Sequence, residues 1–346
     1  MGADAETDSD AETTRLTEYT ELHGCSCKVG QGDLDSLLAD AGLTGESDPL
    51  LFGIGEDAAA RKLTDDIALV STVDFFTPIV DDPYDFGRVA ACNAASDAFA
   101  TGAVENVDCL VVLGLPRELT DNAAPILAGM ADALDTMDGV IAGGHTIMSP
   151  WPFAGGAISA TARPEALLTS QGASPGDQLY LTKPIGTQPA MGATRVTDEQ
   201  FVETVTDATD RPLDTIASEA IEWMTTPNRD AVSACREHAT AATDITGFGL
   251  AGQSRVVAAR SNVGIELTHL PVIAGTPDLS TLFGYGLTDG ESAETSGGLF
   301  VSVPPTATDA VESAFDDAGV FYRAVGHATA GRGVTIDDPT LEEVRR

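Results

Sequence analysis

The chain has 346 residues, with 54 acidic against 18 basic side chains and a formal net charge of −36. Such a field repels phosphodiester backbones and anionic lipid surfaces, so neither a nucleic-acid nor a membrane partner is expected. Apolar residues make up 43%, enough for packed cores, and at about 100–200 residues per domain the length suggests two domains.

Only three of the bases are lysines (Lys28, Lys62, Lys183) and the other fifteen are arginines. Excess carboxylate with little lysine looks like adaptation to molar salt, where a Debye length of ~3 Å screens self-repulsion. Met1–Thr14 has neither the basic flank nor the apolar centre of an export signal. With an odd count of 5 cysteines, reduced thiols and a cytoplasmic location are expected.

In chain order, residues 1–22 are acidic and poor in apolar side chains, which predicts a mobile tail. DLDSLLADAG, from Asp33, has helical spacing and stops at Gly42. Ala68–Phe76 predicts a buried strand that ends in Asp74. Phe86–Ala100 is alanine-rich and of helix length, and carries Asn93 and Asp97 one turn apart on one face. Val107–Leu115 predicts a strand, Asp121–Met137 an amphipathic helix, Val140–Ala142 a strand running into Gly143-Gly144-His145, and Ala157–Ala162 a further strand. Arg163–Gly176, rich in Gly, Pro and Ser, is the expected junction. Beyond it come the strand QLYLTKP, the glycine-rich GTQPAMGA, a helix at Leu213–Met224, AATDITGFGL (241–250) and a strand at Gly264–His269. A loop-rich stretch from Pro271 to Gly297 precedes a final strand–helix–strand between Leu299 and His327. Strands and helices alternate irregularly, which predicts an α+β (mixed α/β) protein: an arm over residues 1–45 and domains at 46–165 and 166–346.

Three constellations can carry chemistry. Gly24-Cys25-Ser26-Cys27-Lys28 sets one of the three lysines directly after a C-x-C pair. A neighbouring ammonium lowers a thiol's pKa, so Cys25 and Lys28 predict a reactive thiol. Half a zinc site and two ordinary buried cysteines are the other readings, but no second paired cluster completes about four zinc ligands. Asp57 in GIGEDAAA, Asp74 at the strand end, Asp97 on the alanine-rich helix and Asp244 in TDITGFG are bordered by apolar or glycine residues rather than by the acidic surface. Buried charges need a partner or a metal, and Mg²⁺ takes carboxylate and phosphate oxygens, so the set predicts Mg²⁺–nucleotide binding. Singly, each also fits an N-cap or a turn. GIGEDAAA, AGGHT, KPIGT and TSGG are glycine turns whose backbone N–H groups suit phosphate, and His145 sits in the second. None matches a P-loop or a Rossmann fingerprint.

These residues resemble selenophosphate synthetase (selenide, water dikinase), within the superfamily of aminoimidazole ribonucleotide synthetase and thiamine-monophosphate kinase. GEDAAA, VDFF and the GG-H turn are superfamily-wide. CSCK, VDFFTPIVDDPYDFGRVAACNAASDAFATG, LTKPIG, TDITGFGL and TSGGL are specific to selenophosphate synthetase, and the likeness runs from Tyr19 to about residue 335. The resemblance implies an N-terminal ATP-binding domain, a C-terminal α+β domain, a flexible arm, a homodimer, and synthesis of selenophosphate from ATP, selenide and water with release of AMP and orthophosphate. It implies that Cys25 and Lys28 are catalytic and that Asp57, Asp97 and Asp244 bind magnesium. It also places Ile54, Gly55, Glu56, Asp74, Gly143, Gly144 and His145 at nucleotide-contacting positions, the last turn reaching the partner subunit. Lys28 and Asp97 are implied near the nucleotide as well. Departures are Ser26 between the cysteines, TQPAMG after LTKPIG, Ser292-Ala293-Glu294 before TSGG, and Gln253. A sister ATP enzyme with another phosphoryl acceptor and a non-catalytic Mg-ATP-binding protein are the alternatives.

Overall fold

A computed structural model describes residues 15–43 and 50–346. After a helix α1 at Gln31–Asp40, the first half supplies β1 (Leu50–Phe52), β2 (Ala59–Lys62), β3 (Ala68–Phe76), α2 (Pro83–Ala100), β4 (Glu105–Leu115), α3 (Ala123–Asp135), β5 (Gly139–Met148) and β6 (Phe153–Ala162). Its six strands form one sheet in the order β1-β2-β3-β6-β4-β5, antiparallel except for the β4–β5 pair.

The second half opens with β7 (Gln178–Leu181), α4 (Thr187–Thr194), α5 (Glu199–Asp207), α6 (Leu213–Met224), α7 (Arg229–Cys235) and β8 (Ala241–Asp244). It continues through α8 (Gly249–Ser261), β9 (Gly264–Ile273), α9 (Thr276–Phe283), β10 (Leu299–Val303), α10 (Thr308–Asp317), β11 (Arg323–Thr329) and β12 (Gly333–Val344). The strands form a second six-stranded sheet, β12-β9-β11-β7-β10-β8, with β12 and β9 parallel. The mixed α/β class read from the sequence holds.

The helix α2 positions the centre of the molecule. Asp82 caps its N-terminus by accepting from the Asp85 N–H, and Pro83 presets the first turn. The alanine-rich helix is buried from Phe86 to Ala100 except at Arg88, so its polar Asn93, Ser96 and Asp97 face the interior. Glycines let α2 and α3 touch: a Cβ on Gly87 would stand 2.0 Å from the Ile126 carbonyl oxygen, and one on Gly129 would stand 1.9 Å from that of Tyr84.

The tail prediction fails where the chain is described. Leu16 is 1% exposed, worth about 2 kcal/mol of apolar burial, and Asp81 accepts from the Arg15 guanidinium at 2.7 Å and from the Thr17 hydroxyl and N–H. Met1–Thr14 lies outside the described residues. Between Pro271 and Gly297 the expected loop contains the end of β9 and all of α9. Flanking Gly275 and Gly284 take positive φ (86° and 73°), and this punctuation disguises an eight-residue helix. The expected short strand at Val140–Ala142 continues through Gly143-Gly144-His145 to Met148, and β12 was missed. In β12, Asp337-Asp338-Pro339 breaks the alternation and falls where the register with β9 shifts, between Ile336 and Thr340.

Candidate active site

Four of the singled-out aspartates converge where α2 crosses from the first sheet to the edge of the second. Asp74 comes from β3, Asp97 from α2 and Asp244 from the end of β8, while Asp57 precedes β2. Alternation on β3 turns Val70, Thr72, Asp74 and Phe76 toward α2. The Thr72 hydroxyl donates to Asp97 Oδ2 at 2.7 Å, and the Thr243 hydroxyl donates to Asp57 Oδ1 at 3.0 Å. Asp244 is 1% exposed and its Oδ2 has no partner among the described residues. Burial, then Asp244, pushes both Asp57 and Asp97 well above the usual carboxylate range, and burial raises Asp244 too. The three carboxylates are therefore buried, with Asp244 near enough to Asp57 and Asp97 to disfavour their negative charge further.

The arm closes over these carboxylates. Gly24 donates its N–H to the Thr77 carbonyl, and its positive φ of 59° belongs to a position where a Cβ would meet Thr295 Oγ1 at 2.3 Å. The Cys25 N–H donates to Thr295 Oγ1 at 3.0 Å, and its thiol donates to Asn93 Oδ1 at 3.2 Å. Lys28 Nζ donates to Asp74 Oδ2 at 2.7 Å, and Asn93 Nδ2 donates to the same oxygen at 2.8 Å. Asn93 Oδ1 also accepts the Ser296 N–H at 2.8 Å. Asn93 thus ties the arm, β3 and the Thr295–Gly298 turn together. Gly247 leaves room for the arm, since a Cβ there would lie 2.5 Å from the Cys25 carbonyl oxygen.

The burial of Cys25 opposes the thiolate that C-x-C-K predicts. Cys25 is 0% exposed, and burial pushes its thiol up by more than the nearby Lys28 lowers it. The ammonium itself is held well above its usual range: burial opposes the charge, but neighbouring negative charge, that of Asp74 and Asp97 included, outweighs that cost. Lys28 pairs with the Asp74 carboxylate, and burial disfavours the ionised form of Cys25.

Other predicted positions separate from this centre. Glu56 accepts from Ser170 and pairs with Arg260 at 2.8 Å, so its carboxylate is committed to holding its loop against α8. Gly55, at φ 93°, gives its carbonyl to the same guanidinium, and Ile54 is exposed. Gly143, Gly144 and His145 lie on the edge strand β5. Register aligns Asp74 with Gly156, Gly156 with Val111 and Val111 with Gly144. Three strand spacings of about 4.8 Å therefore separate Gly144 from Asp74. Within one chain that turn is not part of the aspartate centre.

Asn93, Thr72, Thr243, Ser96, Thr295 and Ser296 were not predicted as site residues. Asn93 was visible as the residue one turn before Asp97, and Thr295 and Ser296 lay inside TSGG. The hydroxyls on strands carried no signal. Departures in the second half are accommodated. Gln253 Nε2 donates to the Asp244 carbonyl at 3.0 Å. Glu294, 1% exposed, accepts from the Gly186 and Thr187 N–H groups at 2.8 Å each and pins the start of α4.

Burial raises the Glu294 carboxyl from 4.5 to about 7 against the pull of those donors. Because the folded value lies above the unfolded one, its contribution is full below pH 4.5 and lost as pH rises through about 7. Glu294→Gln is expected to remove this component, on the order of 3 kcal/mol, from the difference in stability between pH 4.5 and 8. Chemical denaturation of both proteins across that range checks it, and identical pH slopes would contradict it.

Among the described residues, no three His, Cys, Asp or Glu side chains already form a cluster able to hold a metal by themselves. The carboxylates nonetheless suit a magnesium–triphosphate pair. Mg²⁺ is usually held by one or two carboxylates together with phosphate oxygens and waters, and the unpartnered Asp244 Oδ2 is an available ligand. No helix among the described residues is long and apolar enough to cross a membrane.

Residues 55–162 match the AIR synthase related protein N-terminal domain, and residues 174–339 the corresponding C-terminal domain. The chain is 40% identical over 349 residues to selenide, water dikinase of Methanocaldococcus jannaschii, covering 96% of this chain and 99% of that one. It is 43% identical over 316 residues to selenide, water dikinase of Methanococcus maripaludis, covering 88% and 93%. Among solved structures, thiamine monophosphate kinase from Aquifex aeolicus superposes with a TM-score of 0.65 at 18% identity, covering 90% of this chain and 98% of that one. At that identity the likeness is one of fold.

Proposed function

This chain belongs to the selenide, water dikinase family, built on the AIR synthase-related fold, and on that premise we propose that its phosphoryl-transfer site is the space between Asp57, Asp97 and Asp244 under the Cys25–Lys28 arm. The enzyme makes selenophosphate from selenide, ATP and water. The observation that carries the placement is the convergence of three desolvated carboxylates with one of only three lysines in the chain. We divide the chain at 163–176, into an arm (1–45), an ATP-binding domain (46–165) and a C-terminal domain (166–346).

Asp57, Asp97 and Asp244 would hold Mg²⁺. When bound, that ion supplies the positive charge that makes a triphosphate tolerable in a protein of net charge −36. Lys28 brings an ammonium to the same place on a movable arm, held by Asp74 until phosphates compete for it. The arm docks its backbone on Thr295 and against Gly247, which excludes water during transfer to selenide. The second step, transfer of the remaining β-phosphoryl group to water, then proceeds on retained nucleotide. Cys25 donates to Asn93 in the closed arm. Holding selenium, delivering it and shielding the site are the roles open to that thiol, and each but shielding requires it to give up that proton.

We propose a homodimer, and the open face of the first sheet supports it. The row Val73, Ala157, Leu110, Gly143 and the row Phe75, Gly155, Val112, His145 point away from α2. Val73 is 60% exposed and Phe75 47%, an apolar face that a second copy would cover. His145 lies on that face, where it can approach the partner's nucleotide.

Nucleotide analysis tests the function. With ATP, Mg²⁺ and selenide in high salt, AMP is the expected final nucleotide. ADP accumulation indifferent to selenide would instead fit a sister kinase. The acidic surface adds a separate expectation. Dilution from molar salt to ~0.1 M lengthens the screening distance to ~10 Å and should lower the melting temperature by carboxylate repulsion. An unchanged melting temperature would refute adaptation to salt.

A further inference from the structure

Asp57, Asp97 and Asp244 share a feature beyond their burial: each takes a hydrogen bond from a hydroxyl. Thr72 on β3 donates to Asp97 at 2.7 Å, Thr243 on β8 donates to Asp57 at 3.0 Å, and Ser96 on α2 hydrogen-bonds Asp244. A hydroxyl carries one proton and two lone pairs, so rotation about its C–O bond can turn a lone pair toward the carboxylate in place of the proton. At Ser96 and Thr243, both enclosed within the protein, a third group decides between the two.

Asn228, immediately before α7, donates through Nδ2 to Ser96 Oγ and to the Gly297 carbonyl, each at 2.8 Å. Gln253, on α8, donates through Nε2 to the Asp244 carbonyl at 3.0 Å and to Thr243 Oγ1 at 3.4 Å. A backbone carbonyl only accepts, so in both places it fixes the amide nitrogen, and not the amide oxygen, beside the hydroxyl. The hydroxyl must then accept from the amide, and its own proton is directed to the carboxylate. The order of backbone carbonyl, amide, hydroxyl and carboxylate thus occurs twice, on separate segments of the chain. Both amides are themselves buried, Asn228 at 2% exposure and Gln253 at 7%, so water does not compete for these bonds.

On the magnesium assignment made above, we propose that Asn228 and Gln253 are positioning residues for the metal: they orient the Ser96 and Thr243 hydroxyls toward Asp244 and Asp57, so that these carboxylates keep their remaining lone pairs for Mg²⁺. On Asp244 the oxygen left in this way is Oδ2, which has no partner among the described residues. Neither amide is required to touch the ion. Their effect passes through a hydroxyl, and loss of such a partner behind a metal ligand typically weakens metal affinity by about 10–100-fold.

Asn228→Leu and Gln253→Met keep each side chain's approximate size and remove its donors. The full-length proteins, saturated with a non-hydrolysable ATP analogue, are titrated with Mn²⁺, and loss of the free-ion signal in electron paramagnetic resonance gives the affinity. Each variant is expected to bind Mn²⁺ about tenfold or more weakly than the wild type. In turnover, the Mg²⁺ concentration that gives half-maximal AMP formation should rise by a larger factor than kcat falls. Action through the hydroxyl makes a demand that lost packing does not meet. In a Ser96→Ala background Asn228→Leu should cost less than about twofold in Mn²⁺ affinity, and Gln253→Met should behave likewise in Thr243→Val. Should one amide variant not fold, the other, with its own hydroxyl partner, gives the same reading. Asp244→Asn tests the premise separately: unchanged Mn²⁺ affinity there would overturn the metal assignment and this proposal with it. If Asp244→Asn does lose Mn²⁺, wild-type affinity in the amide variants, or a loss undiminished when the hydroxyl is absent, would overturn the positioning role and leave the metal assignment standing.

Discussion

Lys28→Met is expected to lower selenide-dependent AMP formation by about a thousandfold or more, the scale of losing a positioned cation in phosphoryl transfer. Methionine keeps most of the side chain's length and apolar stem while removing its charge. The fall should appear in kcat more than in KM, because the ammonium is held by Asp74 in the closed arm and is released to phosphate oxygens as charge shifts. Stability complicates a simple reading. Asp74 is 7% exposed, and without Lys28 its charge rests on Asn93 alone. A second substitution separates the two effects: Lys28→Met with Asp74→Asn should recover melting temperature and leave activity lost. Recovery of activity in the double variant would show that Lys28 serves only to neutralise Asp74.

Asp244→Asn should separate stability from activity in the opposite direction. The side chain is almost wholly enclosed, one of its oxygens has no partner, and burial already disfavours its charge. An amide of the same shape removes that charge and its repulsion toward Asp57 and Asp97. The metal-free protein is therefore expected to melt at the same temperature or higher. Activity should fall by about 100-fold or more, as when a group that stabilises transition-state charge is removed, and added Mg²⁺-ATP should raise the melting temperature less than in the wild type. A variant that is less stable yet active would make Asp244 a structural carboxylate.

The aspartates were legible because acidic surfaces seldom set carboxylates among alanine, β-branched residues and glycine. Asp74, Asp97 and Asp244 broke that expectation, and all three are buried and close to one another. Asn93 was legible by the helix period alone. Lys28 stood out for rarity, but the sequence offered its charge to Cys25, whereas folding gave it to Asp74. One-dimensional adjacency shows which groups can be neighbours; desolvation, which depends on everything packed around them, decides which form of a thiol survives. Glu56 shows the same limit of adjacency. Its motif marked it for a nucleotide, while Arg260, more than two hundred residues away, pairs with it. Strands and helices with uninterrupted patterning were read correctly from Ala68 to Leu115. Errors gathered where Gly or Pro punctuation hid short elements, as at α9 and β12, and where an edge strand carried glycines, as at β5.

The central claim is that three carboxylates and the arm lysine enclose a metal-bridged triphosphate. Crystals grown with Mn²⁺ and a non-hydrolysable ATP analogue test it through anomalous scattering. Manganese peaks are predicted within coordination distance of Asp57, Asp97 and Asp244, with Lys28 Nζ turned from Asp74 toward the phosphates. Manganese and nucleotide bound together elsewhere on the molecule, with that carboxylate trio untouched, would contradict it.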